Sequence, residues 1–367
     1  MTKSQLLLEE TTDYEVICYT RQQNSAAWKG NLTEEQYISR EKKTSDSGIS
    51  IKRDEPQFLG LHSFILKDLS LPTSGDKFDQ IVAACETLNK RAWVAINGEV
   101  KEVAAPCIGG VYTLPHHRKK GYAEKMIEQV NKFWDEKLDK DSFIYLYSEV
   151  GDFYSRVGYK SFEVPVHKIK GLANFEIPLI DSKFDKLTFE SYGDLIDNLS
   201  DNIKNKLIIK SKATSKHLYS QRPTLDQFTW FHIRDIHTRE ALSIESDKSE
   251  CFGVKIDDEN FIIWYHEWGS KELAVVKLSS SSFDSLQKLF FAAVKEVQNT
   301  NLDLIYLWDS TIPQDYHNEF IKFVEQTFPE TKFDQSNGSI SAIRPIDEKR
   351  RDLLNYSWEN NEKWCWF

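Results

Sequence analysis

One passage limits the fold of this chain more than any other. From Ile108 to Leu138 a strand-like run passes through a basic, glycine-containing turn into an amphipathic helix. Its apolar residues, Ala123, Met126, Ile127, Val130, Phe133, Trp134 and Leu138, occur at intervals of 3, 1, 3, 3, 1 and 4, one face of a 3.6-residue period. A strand feeding such a helix needs a sheet for the helix to cover, so the expected class is α/β (α+β). A helix start also carries unpaired N–H groups and the positive end of the dipole, which together make an anion site suited to a pyrophosphate. Gly121 removes the side chain where a phosphate would approach the backbone. Ala123 keeps the next turn small, and Arg118, Lys119 and Lys120 add positive charge beside it.

The chain has 367 residues, 40% of them hydrophobic, which is material for about two cored domains. Lysine and arginine number 47 against 57 acidic residues, a net charge of −10. An acidic chain lacks the cations that neutralise a phosphate backbone, so no nucleic-acid partner is expected. Met1 to Glu10 holds three leucines stopped by two glutamates, too short for the apolar part of a signal peptide. No run approaches the ~20 apolar residues of a spanning helix, so no membrane partner is expected and a cytoplasmic location is, with the nucleus left open. Cys18, Cys85, Cys107, Cys251 and Cys365 are scattered, in no zinc-binding spacing; they read as buried free thiols, and no metal is expected. No motif sets an oligomeric state.

Ahead of the helix, Gln80–Thr87 and Ala92–Ile96 read as two strands joined by a polar hairpin, and Ala104–Leu114 as the next strand. After it come a strand at Phe143–Tyr147, a short helix at Asp152–Arg156 and a last strand at Ser161–His167. A boundary is drawn near residue 186. The second half repeats the rhythm, with strands at Phe261–Trp268 and Glu272–Leu278, a helix at Phe283–Gln298, a strand at Leu302–Trp308, a helix at Tyr316–Phe328 and a strand at Ser339–Ile343.

Taken alone, Arg118-x-x-Gly121-x-Ala123 is a pattern that chance supplies often. A second pattern downstream adds specificity, because Phe153-Tyr154 on the short helix leads to Gly158-Tyr159 and the last strand. Arg118 to Ala123 resembles the R/Q-x-x-G-x-G/A acyl-CoA loop of the GCN5-related N-acetyltransferases (GNAT), and Phe153 to Tyr159 resembles their F-Y-x-x-x-G-F/Y signature. The likeness covers about residues 1–185 and implies a GNAT acetyltransferase domain, a mixed central sheet flanked by helices. Residues 186–367 are expected as a C-terminal α/β domain, GNAT-like but degenerate and without a CoA site. Cys85-Glu86-Thr87-Leu88, Ala92-Trp93-Val94 and Ile108-Gly109-Gly110-Val111-Tyr112 look like the fungal lysine N-acetyltransferases of lysine catabolism, which also carry a long C-terminal extension.

The resemblance implies acetyl-CoA as co-substrate, held by Arg118, Lys119, Lys120, Gly121, Tyr122 and Ala123. Backbone groups of Tyr112, Thr113 and Leu114 would meet the pantetheine and thioester. It implies Tyr154 as the acid that protonates the leaving thiolate. Glu149, at the end of the next strand, is the first choice for the base, against a plain surface glutamate; water-mediated deprotonation stays open. His116 and His117 lie on the phosphate side and read as structural, and Cys107 stands where some relatives carry an acid. Glu86 is another candidate for the base, or for holding a substrate ammonium group, against a structural glutamate at a hairpin end. Arg222 and Arg234 are candidates for a substrate carboxylate, with surface arginines as the alternative for each. In the second half the matching turn, Lys277 to Asp284, has neither arginine nor glycine, and Asp284 would repel a phosphate.

The expected activity is acetyl transfer from acetyl-CoA to a small-molecule amine, the side chain of free L-lysine, by direct attack on the thioester. The alternatives are another amine (a protein lysine, a protein N-terminus, a polyamine) or a non-catalytic interaction module that keeps the fold.

Overall fold

The structure is a computed structural model that describes residues 5–52, 58–189, 191–245, 250–353 and 355–367. Chain order in the first half is β1 (Leu6–Thr11), α1 (Tyr14–Trp28), α2 (Glu34–Ser45), β2 (Gly60–Asp68), β3 (Ile81–Ile96), β4 (Glu99–Thr113), α3 (Tyr122–Lys137), β5 (Phe143–Ser148), β6 (Lys160–Phe162) and β7 (Val166–Ile169). Next come β8 (Asp185–Lys186), α4 (Gly193–Lys212), β9 (His217–Gln221), α5 (Leu225–Ala241), β10 (Gly253–Lys255), β11 (Phe261–Glu267), β12 (Glu272–Ser279) and α6 (Phe283–Thr300). The chain closes with β13 (Leu304–Trp308), α7 (His317–Thr327), β14 (Lys332–Gln335), β15 (Ile340–Pro345), α8 (Glu348–Leu353) and β16 (Tyr356–Trp358).

Two mixed sheets carry the fold. The first runs β1-β2-β3-β4-β5-β15-β6, with β9 on β3 and β16 on β9; the second runs β14-β7-β13-β12-β11-β10-β8. α3 covers the first sheet with the stripe its spacing predicts: Met126, Ile127, Val130 and Trp134 are fully buried. Burying side chains of this size is worth about 1.5–3 kcal/mol each before entropy is counted. α6 does the same on the second sheet through Leu286, Leu289, Phe290, Ala293, Val294 and Val297.

The hairpin expected between two strands at 80–87 and 92–96 is instead one continuous strand, β3. Its first part pairs with β2 over Ile81–Asn89, and its last part pairs with β9 over Ala92–Ala95. The polar residues at 89–91 mark the change of partner rather than a turn. Asn89 donates to the Phe58 carbonyl, and buried Lys90 donates to the carbonyls of Cys365 and Trp366. The single strand expected at Ser161–His167 is likewise two short strands in different sheets, β6 and β7. The opening Leu6–Thr11 run is an edge strand on β2.

The sheets exchange strands across the line between residues 185 and 186. β15 lies between β5 and β6 in the first sheet, and β7 lies between β13 and β14 in the second. One core joins the two sheets: Leu88 and Trp93 of β3, Leu195 and Leu199 of α4, Phe228 and Phe231 of α5 and Ile263 and Tyr265 of β11 share it with Trp364. The apolar tail is part of that core. Trp364 and Cys365 are fully buried, and Gln227 donates to the Trp364 carbonyl at 2.6 Å. No helix among the described residues is long and apolar enough to cross a membrane.

Candidate active site

The site forms where β4 and β5 part. They pair in parallel at Cys107↔Tyr145 and Ile108↔Leu146; from Gly109 to Thr113, β4 carries no described partner on its β5 side. On the other side of β4 the register with β3 slips. Ala84 faces Tyr112 and Glu86 faces Gly109, so Cys85 alone opposes Gly110 and Val111. This is a β-bulge, and Gly110 takes it at φ +61°, a left-handed backbone that glycine adopts without strain. An unpaired, bulged strand edge offers backbone donors and acceptors to a ligand laid along it.

The basic turn closes one end of this opening. Residues 115–117 form a single 3-10 turn, Lys119 sits at φ +64°, and Gly121 caps α3 at φ +79°. A Cβ placed on Gly121 would meet no atom within 4 Å, so the backbone here is open to a ligand. Arg118 donates from Nε to the Thr113 carbonyl at 3.2 Å and lies 5.0 Å over the Tyr112 ring, which pins it across the end of β4. Lys119 and Lys120 are exposed and make no ion pair among the described residues. Ala123 is half-buried in the first helical turn. These features fit a pyrophosphate on the α3 N-terminus. Tyr122 and Leu114 have other duties. The Tyr122 phenol is buried and donates to Asp68 at 2.6 Å, and Leu114 donates its N–H to Val82, so only the backbone of Tyr122 faces the turn. His116 is exposed. The half-buried ring of His117 is held below its usual pKa by burial and then by Lys120 and His116, and it packs edge-on against Tyr122.

Tyr154 sits in a 3-10 turn, Phe153–Val157, ended by Gly158 at φ +91°. Its ring is buried, and its hydroxyl has no hydrogen-bond partner among the described residues. Burial pushes the phenol well above its usual pKa, with Cys85 and Glu149 adding to the effect. The hydroxyl therefore stays protonated near neutral pH, the form that a proton donor needs. Glu149 is exposed just beyond β5, and its Oε2 accepts from Trp28 Nε1 at 3.1 Å. Trp28 also meets Tyr112 edge-on at 6.1 Å, so the end of α1 ties the two parted strands together. Cys107 is fully buried; burial pushes its thiol up to about 12, against the pull of Lys90, so it is no nucleophile.

Of the three substrate candidates, Glu86 and Arg234 border one buried charge cluster with Arg21, Arg40 and Glu41, and Arg222 lies apart from it. Glu86 accepts from Arg21 Nη2 at 2.9 Å and from Ser63 at 3.3 Å, so its charge is already matched. Arg222 lies at the far end of β3 and β4, bound to Glu102 at 2.5 Å beside Arg91. Arg234 is in the seam between α2 and α5, 3.7 Å from Glu41 and 5.9 Å over both Trp230 and Trp366. Sequence reasoning missed Arg21 and Trp28. The signal available was on α1 itself, whose inward face is polar: Arg21, Asn24 and Ser25 are buried where an ordinary amphipathic helix would carry leucines.

In the second sheet β12 and β13 also part, beyond Ala274↔Tyr306, but the matching turn is closed by its own side chains. Ser281 donates its N–H to Asn260 at 2.9 Å, Ser282 caps α6 through Ser285, and Asp284 pairs with Lys288. His167 and His317 both bond Asp309, at 2.9 and 2.6 Å. The Asp334 N–H points at His167 Nδ1, which puts the ring proton on Nε2, facing Asp309, where a metal would need a lone pair.

Comparison with known proteins agrees with this geometry. Residues 77–162 match the family described as an acetyltransferase (GNAT) domain, and residues 176–367 match the LYC1 GNAT-like C-terminal domain. The protein YGR111W of Saccharomyces cerevisiae, itself uncharacterized, is 35% identical over 99% of this chain and 98% of its own length. A lysine acetyltransferase of Yarrowia lipolytica is 21% identical over 77% of this chain and 84% of its own. Among solved structures, a GCN5-related N-acetyltransferase from Anabaena variabilis superposes with a TM-score of 0.54 at 11% identity, covering 96% of this chain and 75% of that one. Eis1 from Mycobacterium abscessus gives 0.52 at 10% identity, over 96% and 76%. At these identities the two structures speak for the fold alone.

Proposed function

Because this chain belongs to the GNAT acetyltransferases, we propose that it acetylates the side-chain amine of free L-lysine in the cleft between β4 and β5. The fold implies acetyl-CoA as co-substrate, which supplies the thioester-activated acetyl group. One observation carries the reading: the strands part beside a turn whose backbone is open at Gly121, and Tyr154 stands nearby with an unengaged hydroxyl.

In this proposal the N–H groups at the start of α3, with Arg118, Lys119 and Lys120, hold the diphosphate. The free edge of β4 from Gly109 to Thr113 orients the acetyl carbonyl and donates to the oxygen on which charge develops. Glu149, held by Trp28, takes the proton from the incoming amine, and Tyr154 gives its hydroxyl proton to the leaving sulfur. The chain is divided at 185/186 into a catalytic and a C-terminal domain; the first lends β7 to the second sheet, and the second lends β9, β15 and β16 to the first. The C-terminal domain would bind no CoA, since its turn is filled by its own serines and Asn260.

Two things support a free amino acid over a protein substrate. The cleft face of the first sheet is roofed, with α5 packed on α2 and the Phe367 ring lying over Gly109. The Yarrowia relative is named a lysine acetyltransferase. The experiment is CoA release by the purified protein, given acetyl-CoA with L-lysine, spermidine or a lysine-containing peptide in parallel. Release with lysine is the expected result. Release with the peptide alone would move the function to protein modification. No release with any amine, together with no binding of acetyl-CoA, would favour an interaction module.

A further inference from the structure

A cavity of about 310 Å³ opens between α1, the end of α2 and β2, lined by Tyr14, Arg21, Lys42, Asp46, Ser50 and Ser63. It adjoins the transfer site. Ser63 pairs with Glu86 across β2 and β3, and Glu86 pairs with Gly109 across β3 and β4, so the three residues form one row across the sheet. Two strand spacings of about 4.8 Å place Ser63 roughly 10 Å from Gly109 and the bulge beside it.

Arg21 is the unusual member of this lining. The residue is 4% exposed. Its Nη2 is shared between Ser45 at 2.6 Å and Glu86 at 2.9 Å. Its Nε is buried with no acceptor, and Nη1 has none among the described residues. A guanidinium carries five N–H donors in a planar fork. The Nη1 side of the fork is left for a group in the cavity, and a carboxylate is the group whose geometry meets it. Lys42 brings a second cation to the mouth of the cavity, and Asp46, paired with it at 2.7 Å, brings an anion. Two cations and one carboxylate, set beside the apolar side chains of Ile17, Ile51 and Leu61, suit a zwitterion with an aliphatic chain better than a plain amine or a peptide backbone.

We propose that this cavity binds the α-carboxylate and α-ammonium groups of the substrate, with Arg21 and Lys42 facing the carboxylate and Asp46 the ammonium, so that only an amino acid whose side-chain amine lies several methylenes away reaches the β4 bulge. Arg21 is thus a specificity-determining residue of the transfer reaction. This rests on the amino-acid reading above and deepens it.

The test compares kcat/KM for L-lysine with that for cadaverine, the same chain without the carboxylate. Measurements are made on the wild-type protein, Arg21→Gln and Lys42→Met. Wild type should favour lysine, and Arg21→Gln should lower the lysine/cadaverine ratio by about 30-fold or more, the range of a lost charge-assisted hydrogen bond. Lys42→Met, on the surface and outside the Arg21–Glu86 pair, should lower it several-fold. That variant keeps the test decisive if Arg21→Gln does not fold. Lysine turnover with the ratio unmoved in the folded variants overturns this inference alone. Wild type using cadaverine as well as lysine also overturns it. No lysine turnover by wild type overturns the amino-acid reading and this inference with it.

Discussion

Gly121→Ala separates what the turn costs the fold from what it provides for a ligand. In the unliganded chain the added methyl meets no atom within 4 Å, so no packing is disturbed. What remains is the strain of an alanine at φ +79°, ψ 8°, about 1–2 kcal/mol, partly offset by the lower backbone entropy of the unfolded alanine chain. A net cost of about 1 kcal/mol results. Unfolding entropy of about 2.1 cal/mol/K per residue turns that into a Tm loss of only ~1 °C in a chain this long. The space the methyl enters is the space in which a phosphate must approach the α3 N–H groups. Losing one or two charge-assisted hydrogen bonds there costs about 3 kcal/mol, so the Kd for acetyl-CoA should rise by about two orders of magnitude. Thermal unfolding without ligand and calorimetric titration with acetyl-CoA read the two effects independently. Unchanged CoA affinity would refute the assignment of the phosphate site. A fall in Tm of more than about 5 °C would refute the claim that the position is open.

Two further outcomes are expected from named groups. Tyr154→Phe should lower turnover by about 100-fold with acetyl-CoA affinity and Tm nearly unchanged, because the hydroxyl it removes has no described partner; full activity would remove Tyr154 as the acid. His266 is buried between Asp235 at 2.7 Å and Glu296 at 3.0 Å; burial works against its charged form, but the two carboxylates prevail and raise its pKa to about 9. A pKa raised from about 6.5 in the unfolded chain means stabilisation that is complete below pH 6.5 and lost as pH rises through 9, on the order of 3 kcal/mol. The stability gap between wild type and His266→Gln, measured by urea unfolding, should therefore shrink from pH 6 to pH 10, and a constant gap would show that His266 is neutral in the fold.

How much of this was written in the chain varies by region. The strand–turn–helix passage from Ile108 to Leu138 was legible because helical spacing, glycine and charge are local signals, and local signals survive in any tertiary context. The 3-10 turn bearing Tyr154 was legible through Phe153 and Gly158 for the same reason. The single strand β3 was not. The polar run at 89–91 looks like a turn unless one knows that β9 and the tail arrive from more than 120 residues away to satisfy it. Arg21 was hidden in a helix whose buried face is polar, and its meaning depends on Glu86 and Ser45.

Spacing and turn chemistry by themselves determined that this chain runs a strand through a basic, glycine-containing turn into an amphipathic helix, and that the second half repeats the strand–helix rhythm without that turn. Only the tertiary structure decided which strands part, which sheet receives β7 and β15, and which partners the buried Arg21 meets. The reason is physical. A hydrogen-bonded turn or an amphipathic stripe is specified by neighbours in sequence, whereas strand pairing and the matching of buried charges depend on groups brought together from distant parts of the chain.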